Sequence, residues 1–307
     1  MVISRVTAKR GVAAIVTLCT LCWGICCQAD TFRDTMGRTV TLKSPPLRIV
    51  AMAPSLTEIL YALGLGDRVV GVTRFSYYPP EAKNKPTIGS YINVNVERII
   101  SLNPDLAIGT ADGNKPKVVK LLEQAGIPVY IVNPRKVRDV LDTILDVGRV
   151  CAVEAKARHL AVQLKGRIDH VSEKTASLRR PLVFLQLNVR PIMTVNRHTF
   201  HHDVLCLAGG ENMARNEPAT YPRIGLEEVI RRKPEVIIIS SMERGGRFER
   251  ARKAWFKWTS IPAVKTGRVH LIDSDLLDRP SPRIVKGLET IVGLIHPELT
   301  PGIPIPK

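Results

Sequence analysis

The sequence predicts an α/β protein of two lobes with mostly parallel central sheets, joined by one long α-helix, with a ligand cleft between the lobes. Three observations carry this. Short β-branched runs alternate with helical stretches on both sides of the chain's middle, the pattern of parallel sheets with helical crossovers. Between the two blocks, residues 153–178 place Ala157, Leu160, Leu164, Ile168 and Val171 three or four apart, as on one face of a helix. Finally, residues 96–108 parallel residues 226–238: each segment reads apolar, Glu, two apolar positions, a proline, an acid and then a strand.

Taken in order, residues 31–42 read as a hairpin with Met36-Gly37 at its turn. Residues 48–53 form a buried-type strand closed by Pro54. Ser55 or Thr57 then caps a helix through Ile59, Leu60 and Leu63, which Gly64 and Gly66 end. A strand at Val69–Val72, a helix at 95–102, a strand at 106–109, a helix at 114–125 and a strand at Val129–Val132 complete the first block. A helix at Val137–Val150 leads into the long helix, which Gly166 weakens without ending. Past Arg179-Arg180-Pro181 come a strand at 182–187, helices at 201–208 and 225–232, strands at 236–240 and 269–272, and a last helix at 281–295. Ile127-Pro128 before the strand at 129 is echoed more loosely by Ile261-Pro262 before the strand at 269. The resulting division is a signal peptide at 1–29, a first lobe at 30–150, a connecting helix at 151–180 and a second lobe at 181–307. Two matched lobes make the cleft between them the expected binding site.

Arg5, Lys9 and Arg10 precede an apolar run at 11–25, followed by small residues at Cys27 and Ala29. This is the layout of a secretory signal peptide cleaved after Ala29, and the run is short for a membrane span. An uncleaved anchor, or a lipid on Cys26 or Cys27, is the alternative. The formal charge is +17 over 307 residues, and removing residues 1–29 leaves +14. The lysines and arginines are dispersed and aromatics make up only 5%, which speaks against a nucleic-acid surface. Cys151 and Cys206 remain, either as free thiols or as one disulfide.

Phosphate-binding glycine loops, a nucleophile elbow and a zinc-protease helix motif are all missing from the sequence. The His198-Thr199-Phe200-His201-His202-Asp203 segment is the one metal-like cluster, since His198 and His202 at four-residue spacing can share a helix face. An exported metal-dependent enzyme using His198, His201 or His202 is therefore one alternative. Asp273, Asp275 and Asp278 lack the glycine of a calcium loop.

Several segments carry a resemblance. They are Arg48-Ile49-Val50-Ala51-Met52-Ala53-Pro54-Ser55-Leu56-Thr57-Glu58, Tyr78-Pro79-Pro80-Glu81-Ala82, Asn95-Val96-Glu97-Arg98-Ile99, Ala208-Gly209-Gly210-Glu211-Asn212 and Arg279-Pro280-Ser281-Pro282-Arg283-Ile284. In them the mature chain resembles the substrate-binding proteins of ABC importers with a rigid inter-lobe helix, which carry vitamin B12, ferric siderophores or haem. The Tyr-Pro-Pro and Arg-x-Ser-Pro-Arg elements are closest to the cobalamin-binding members. The resemblance implies a non-catalytic, monomeric periplasmic carrier without a cofactor, which delivers a corrinoid to an ABC permease. It places Phe75, Tyr91 and Tyr221 as pocket aromatics, and Asp275 and Arg279 against the amide rim of the corrin. Thr110 and Met193 stand where relatives have further pocket aromatics. It also makes Glu97 and Glu227, at matched positions of the repeat, the residues that dock on permease arginines. A ferric siderophore or haem carrier is the alternative within the family, with Tyr77, Tyr78 or Tyr91 available to iron.

Overall fold

The computed structural model describes residues 29–241 and 246–299; the expected signal peptide lies outside this range apart from Ala29. The chain enters through an antiparallel hairpin, β1 (Asp30–Arg33) and β2 (Thr39–Leu42), turned at Gly37. The first lobe then alternates β3 (Ile49–Ala51), α1 (Pro54–Ala62), β4 (Val69–Val72), α2 (Val96–Ser101), β5 (Leu106–Thr110), α3 (Pro116–Gln124) and β6 (Val129–Val132). Its sheet is wholly parallel in the order β4-β3-β5-β6. β5 and β6 are buried at every position, which is why they read as unbroken apolar runs with no polar alternation.

Two helices follow, α4 (Val137–Val150) and the 22-residue α5 (Glu154–Thr175). The second lobe contains β7 (Leu182–Gln186), α6 (Phe200–Leu207), β8 (Glu211–Asn212), α7 (Leu226–Arg232), β9 (Val236–Ser241), α8 (Arg247–Trp255), α9 (Pro262–Lys265) and β10 (Val269–Asp273). It closes with α10 (Ser274–Leu277) and α11 (Ile284–Ile295). The second sheet is also parallel, in the order β8-β7-β9-β10. That is the first lobe's order repeated strand for strand. The segment duplicated in the sequence is α2–β5 in one lobe and α7–β9 in the other, so the duplication extends to the whole sheet.

Helix α5 backs both lobes. It packs on α4 on one side and on α6 and α11 on the other. Ala157, Leu164, Ile168 and Val171 are buried along it, as the three-and-four spacing requires, and Leu160 packs partly buried beside them. One apolar cluster runs from Ile49 and Ile108 through Ile144 and Ile168 to Val183, Ile238 and Ile291. Each fully buried aliphatic side chain there contributes about 1.5–3 kcal/mol. At the α4–α5 crossing, a Cβ on Gly148 would stand 2.2 Å from the Ala157 Cβ, so the backbones approach as closely as glycine allows. Arg138 to Asp169 at 2.6 Å and Arg167 to Glu289 at 2.7 Å tie α5 to α4 and to α11.

Several expectations need correction. Pro54 opens α1 and does not merely end the preceding strand; it sits at the first helical position, where its missing N–H costs nothing. Neither Ser55 nor Thr57 caps that helix. Thr57 is buried and its hydroxyl bonds back to the Ala53 carbonyl at 3.3 Å and to the Ser76 hydroxyl at 2.9 Å. Gly64, at φ +72°, ends α1. Helix α6 begins at Phe200 under a Thr199 cap, so His198 precedes the helix and does not share a face with His202. The last helix starts at Ile284 because residues 278–283 form a turn. Pro262 opens α9, which the looser echo of Ile127-Pro128 did not anticipate. Cys151 and Cys206 are both free thiols, and burial pushes Cys151 up to about 12. Among the described residues, no helix is long and apolar enough to cross a membrane.

Candidate functional site

In parallel α/β sheets the loops beyond the carboxyl ends of the strands form the crevice that receives ligands. Here the segments after β3, β4 and β6 of the first lobe meet those after β7 and β10 of the second. The cleft has an aromatic centre and two polar edges.

At the centre, the Tyr91 hydroxyl lies 3.1 Å from the Thr110 hydroxyl at the end of β5. Asn114 braces both residues: its Oδ1 accepts from the Thr110 N–H at 2.8 Å, and its Nδ2 donates to the Tyr91 carbonyl at 3.2 Å. The Tyr91 ring lies so close to the backbone that a Cβ on Gly113 would meet it at 2.1 Å. Tyr221, 36% exposed, comes from the second lobe. Its hydroxyl is pushed up to about 12, first by desolvation and then by the nearby charges of Asp112 and Tyr91, with Arg135 opposing. Tyr91 is raised as well, again chiefly by desolvation. The two tyrosines, one from each lobe, are thus near neighbours, and both are neutral phenols. Met193 pairs antiparallel with Arg223, two residues past Tyr221, and the neighbouring Thr194 N–H donates to the Pro222 carbonyl at 3.0 Å. Behind them, His201 Nε2 and the Ser240 hydroxyl each lie 3.1 Å from Asp278 Oδ1. His201 Nδ1 is buried without a partner among the described residues.

The first edge is an ion-pair network that crosses the lobes. Glu58 Oε1, on α1, accepts from Arg279 at 2.9 Å and from Arg283 at 2.6 Å. Its Oε2 accepts from the Ser281 hydroxyl at 2.6 Å and from Arg283 Nε at 2.9 Å. Arg279 also pairs with Asp275 at 3.0 Å and donates to the Phe75 carbonyl at 3.0 Å. The Tyr77 hydroxyl crosses the lobes to donate to Asp275 at 2.6 Å. The Arg279 guanidinium lies 4.5 Å above the Tyr77 ring and that of Arg283 3.8 Å above the Tyr78 ring. Two acids and two arginines balance, and bidentate geometry supports burying them. Asp275 and Arg279, singled out in the sequence as rim contacts, thus belong to this network. Glu58, Ser281 and Arg283 complete it, with roles that the local sequence pattern does not announce. One signal was present all the same: Glu58 is a lone acid on an otherwise apolar helix face, and it is 3% exposed.

The second edge is a cavity of about 590 Å³ between Arg135 and Lys136 of the first lobe and Arg197, His198, Asp203 and Thr220 of the second. Asp203 Oδ2 accepts from the Val137 N–H at 2.8 Å and so joins α6 to the start of α4. His202 turns to Cys206, with Nε2 3.4 Å from Sγ, and to Asn212. No group of three or more His, Cys, Asp or Glu among the described residues is arranged to hold a metal ion.

Glu97 and Glu227 occupy the first turns of α2 and α7, the paired helices of the two lobes. Both are exposed, and neither makes an ion pair among the described residues. Phe75 is 40% exposed at the mouth of the cleft, with the Arg74 guanidinium 5.8 Å from its ring.

Known proteins share this architecture. The vitamin B12-binding protein of Vibrio parahaemolyticus is 32% identical over 254 residues, covering 81% of this chain and 90% of that protein. An uncharacterized ABC transporter substrate-binding lipoprotein of Bacillus subtilis, YvrC, is 33% identical over 275 residues, covering 87% and 86%. Among solved structures, the periplasmic vitamin B12 binding protein BtuF of Vibrio cholerae aligns with a TM-score of 0.74 at 28% identity, covering 83% of this chain and 99% of that one. The periplasmic heme-binding protein RhuT from Roseiflexus aligns with a TM-score of 0.74 at 25% identity, covering 81% and 98%. Residues 49–276 match the periplasmic binding protein family, and the chain belongs to that family.

Proposed function

We propose that the protein is the periplasmic carrier of an ABC importer, and that it captures a corrinoid of the vitamin B12 type in the cleft and hands it to the permease. The observation that carries this reading is the opposition of Tyr91 and Tyr221 across the lobes. A flat macrocycle fringed with amides needs broad apolar walls and a few neutral donors and acceptors. Both phenols are raised by desolvation and stay protonated, which suits hydrogen bonding to amides. Phe75, Thr110 and Met193 extend the walls, and Asp275 and Arg279 meet the amide rim from the network edge. The names of the B12-binding relatives support the same ligand.

Glu97 and Glu227 would dock on the permease. A permease built from two like halves presents the same arginines twice, and this chain offers one carboxylate at the matched position of each lobe. Residues 1–29 would direct export and be cleaved after Ala29, releasing a monomer. The lobes are tied at both edges, by Glu58 and by Asp203, so closure is small and affinity comes from a largely preformed cleft. Incubation of the purified mature protein with cyanocobalamin, followed by desalting, tests the ligand. Corrinoid absorbance should remain with the protein in about equimolar amount, and loss of all colour would refute the reading.

A further inference from the structure

The cavity on the second edge is not needed to explain a planar macrocycle held between Tyr91 and Tyr221. It is nevertheless built from both lobes and adjoins that site: Thr220 lines it directly before Tyr221, and Arg135, which also lines it, acts electrostatically on the Tyr221 hydroxyl. Its charge is unevenly compensated. Arg135 is paired with Asp112 at 2.7 Å, and Asp203 is engaged by the Val137 N–H at 2.8 Å. Lys136 and Arg197 have no carboxylate partner among the described residues: Arg197 bonds only to the Asn216 side chain and, at 3.0 Å, to the Arg215 carbonyl. Those two bonds position the guanidinium, while Asp203 holds the backbone next to Lys136, whose side chain, like that of Arg197, is exposed. The cavity thus sets two cations, one from each lobe, around a volume of about 590 Å³, which exceeds what a few waters would fill. Guanidinium and ammonium groups so placed recognise an oxyanion.

We infer that this basic cavity is a subsite for the anionic arm of the transported macrocycle, gripped between Lys136 of the first lobe and Arg197 of the second. The inference deepens the carrier reading and rests on it. Two kinds of macrocycle supply such an arm. A complete cobalamin carries a phosphodiester in its nucleotide loop, whereas cobinamide lacks the loop. Haem carries two propionates, which its dimethyl ester masks. Because the arm contacts both lobes, it adds to the ties at the Glu58 edge and favours the same closed arrangement.

The test compares the mature wild-type protein with a Lys136→Gln/Arg197→Gln variant. Affinities are measured by tryptophan quenching for cobalamin against cobinamide, both in cyanide buffer so that their axial ligands match, and for ferric haem against its dimethyl ester. Wild type should prefer the charged member of a pair by about tenfold, the scale of one charge-assisted hydrogen bond. In the variant that preference should disappear while affinity for the uncharged member stays within about twofold, which also reports that the cleft has folded. A preference for cobalamin that vanishes in the variant supports the subsite on a corrinoid carrier. Corrinoids bound without preference overturn the subsite and leave the carrier reading standing. A preference confined to the haem pair, and lost in the variant, supports the subsite and overturns the corrinoid assignment. Equal weakening of both members by the variant, or binding of neither macrocycle, overturns the inference.

Discussion

Glu58 and Arg279 lie 221 residues apart in sequence, yet their side chains meet at 2.9 Å across the lobe boundary, with both side chains no more than 7% exposed. The carboxylate serves Arg279, Arg283 and Ser281 together, so its loss would leave Arg283 without its paired acid and Arg279 with Asp275 alone. Removing one partner of a buried ion pair costs about 3–5 kcal/mol. Glu58→Gln is therefore expected to lower the unfolding free energy by about 3 kcal/mol, read from urea midpoints at unchanged m-value. Small-angle scattering of the same variant should show a more open average lobe arrangement. An unchanged midpoint would mean that the network contributes little.

Gly113 reports on Tyr91 more sensitively than a truncation of the tyrosine would. The Cβ of Gly113→Ala would fall 2.1 Å from the ring, so the ring must leave its place beside Thr110. Ligand affinity should fall about tenfold, equivalent to about 1.4 kcal/mol. Thermal stability should change by less than the cleft does, because Tyr91 lies only partly buried at the edge of the core.

Most of the architecture was legible in the sequence, because its punctuation is local. Pro104 and Pro234 each stand between a helix and a buried strand, so the repeat could be seen without knowing the sheet, and the identical strand orders follow from it. The 3.6-residue period of α5 survived Gly166 because nothing packs on that position. What escaped was short or non-local. β8 is two residues long, and the apolar stripe of α8 rests on Phe248, Ala251 and Trp255 amid a run rich in Arg and Lys. The partners of Glu58 and the neighbours of Asp203 depend on how the lobes meet, which no local pattern encodes. For that reason Asp275 and Arg279 could be picked out as cleft residues while their mutual pairing, and the Tyr77 hydroxyl that joins them, could not.

The matched glutamates give a prediction that separates capture from delivery. Glu97→Ala/Glu227→Ala should retain corrinoid binding, because both side chains are exposed in the first turns of their helices. Uptake in cells that depend on this carrier should be lost. Uptake at the wild-type rate would show that docking uses another surface.

His270, on β10, gives a pH signature. Burial, with Arg268 and Arg252 nearby, depresses it from 6.5 to about 4. The unfolded chain therefore takes up a proton near pH 6.5 while the folded protein does not until about pH 4, so this contribution is complete above the unfolded value and is lost as pH falls through that window. Unfolding free energy should decline by roughly 2 kcal/mol from this source between pH 7 and 4.5, after allowance for partial exposure. His270→Gln should flatten that part of the profile, and an unaltered slope would assign the acid sensitivity elsewhere.

Isothermal titration of the mature protein with cyanocobalamin, run alongside ferric haem, bears most directly on the central claim. The cleft between Tyr91 and Tyr221 should take up one corrinoid per chain with a dissociation constant below about 1 µM, equivalent to about −8 kcal/mol. Tyr91→Ala and Tyr221→Ala should each weaken that binding. Saturable one-to-one binding of haem with no heat from the corrinoid would contradict the assignment.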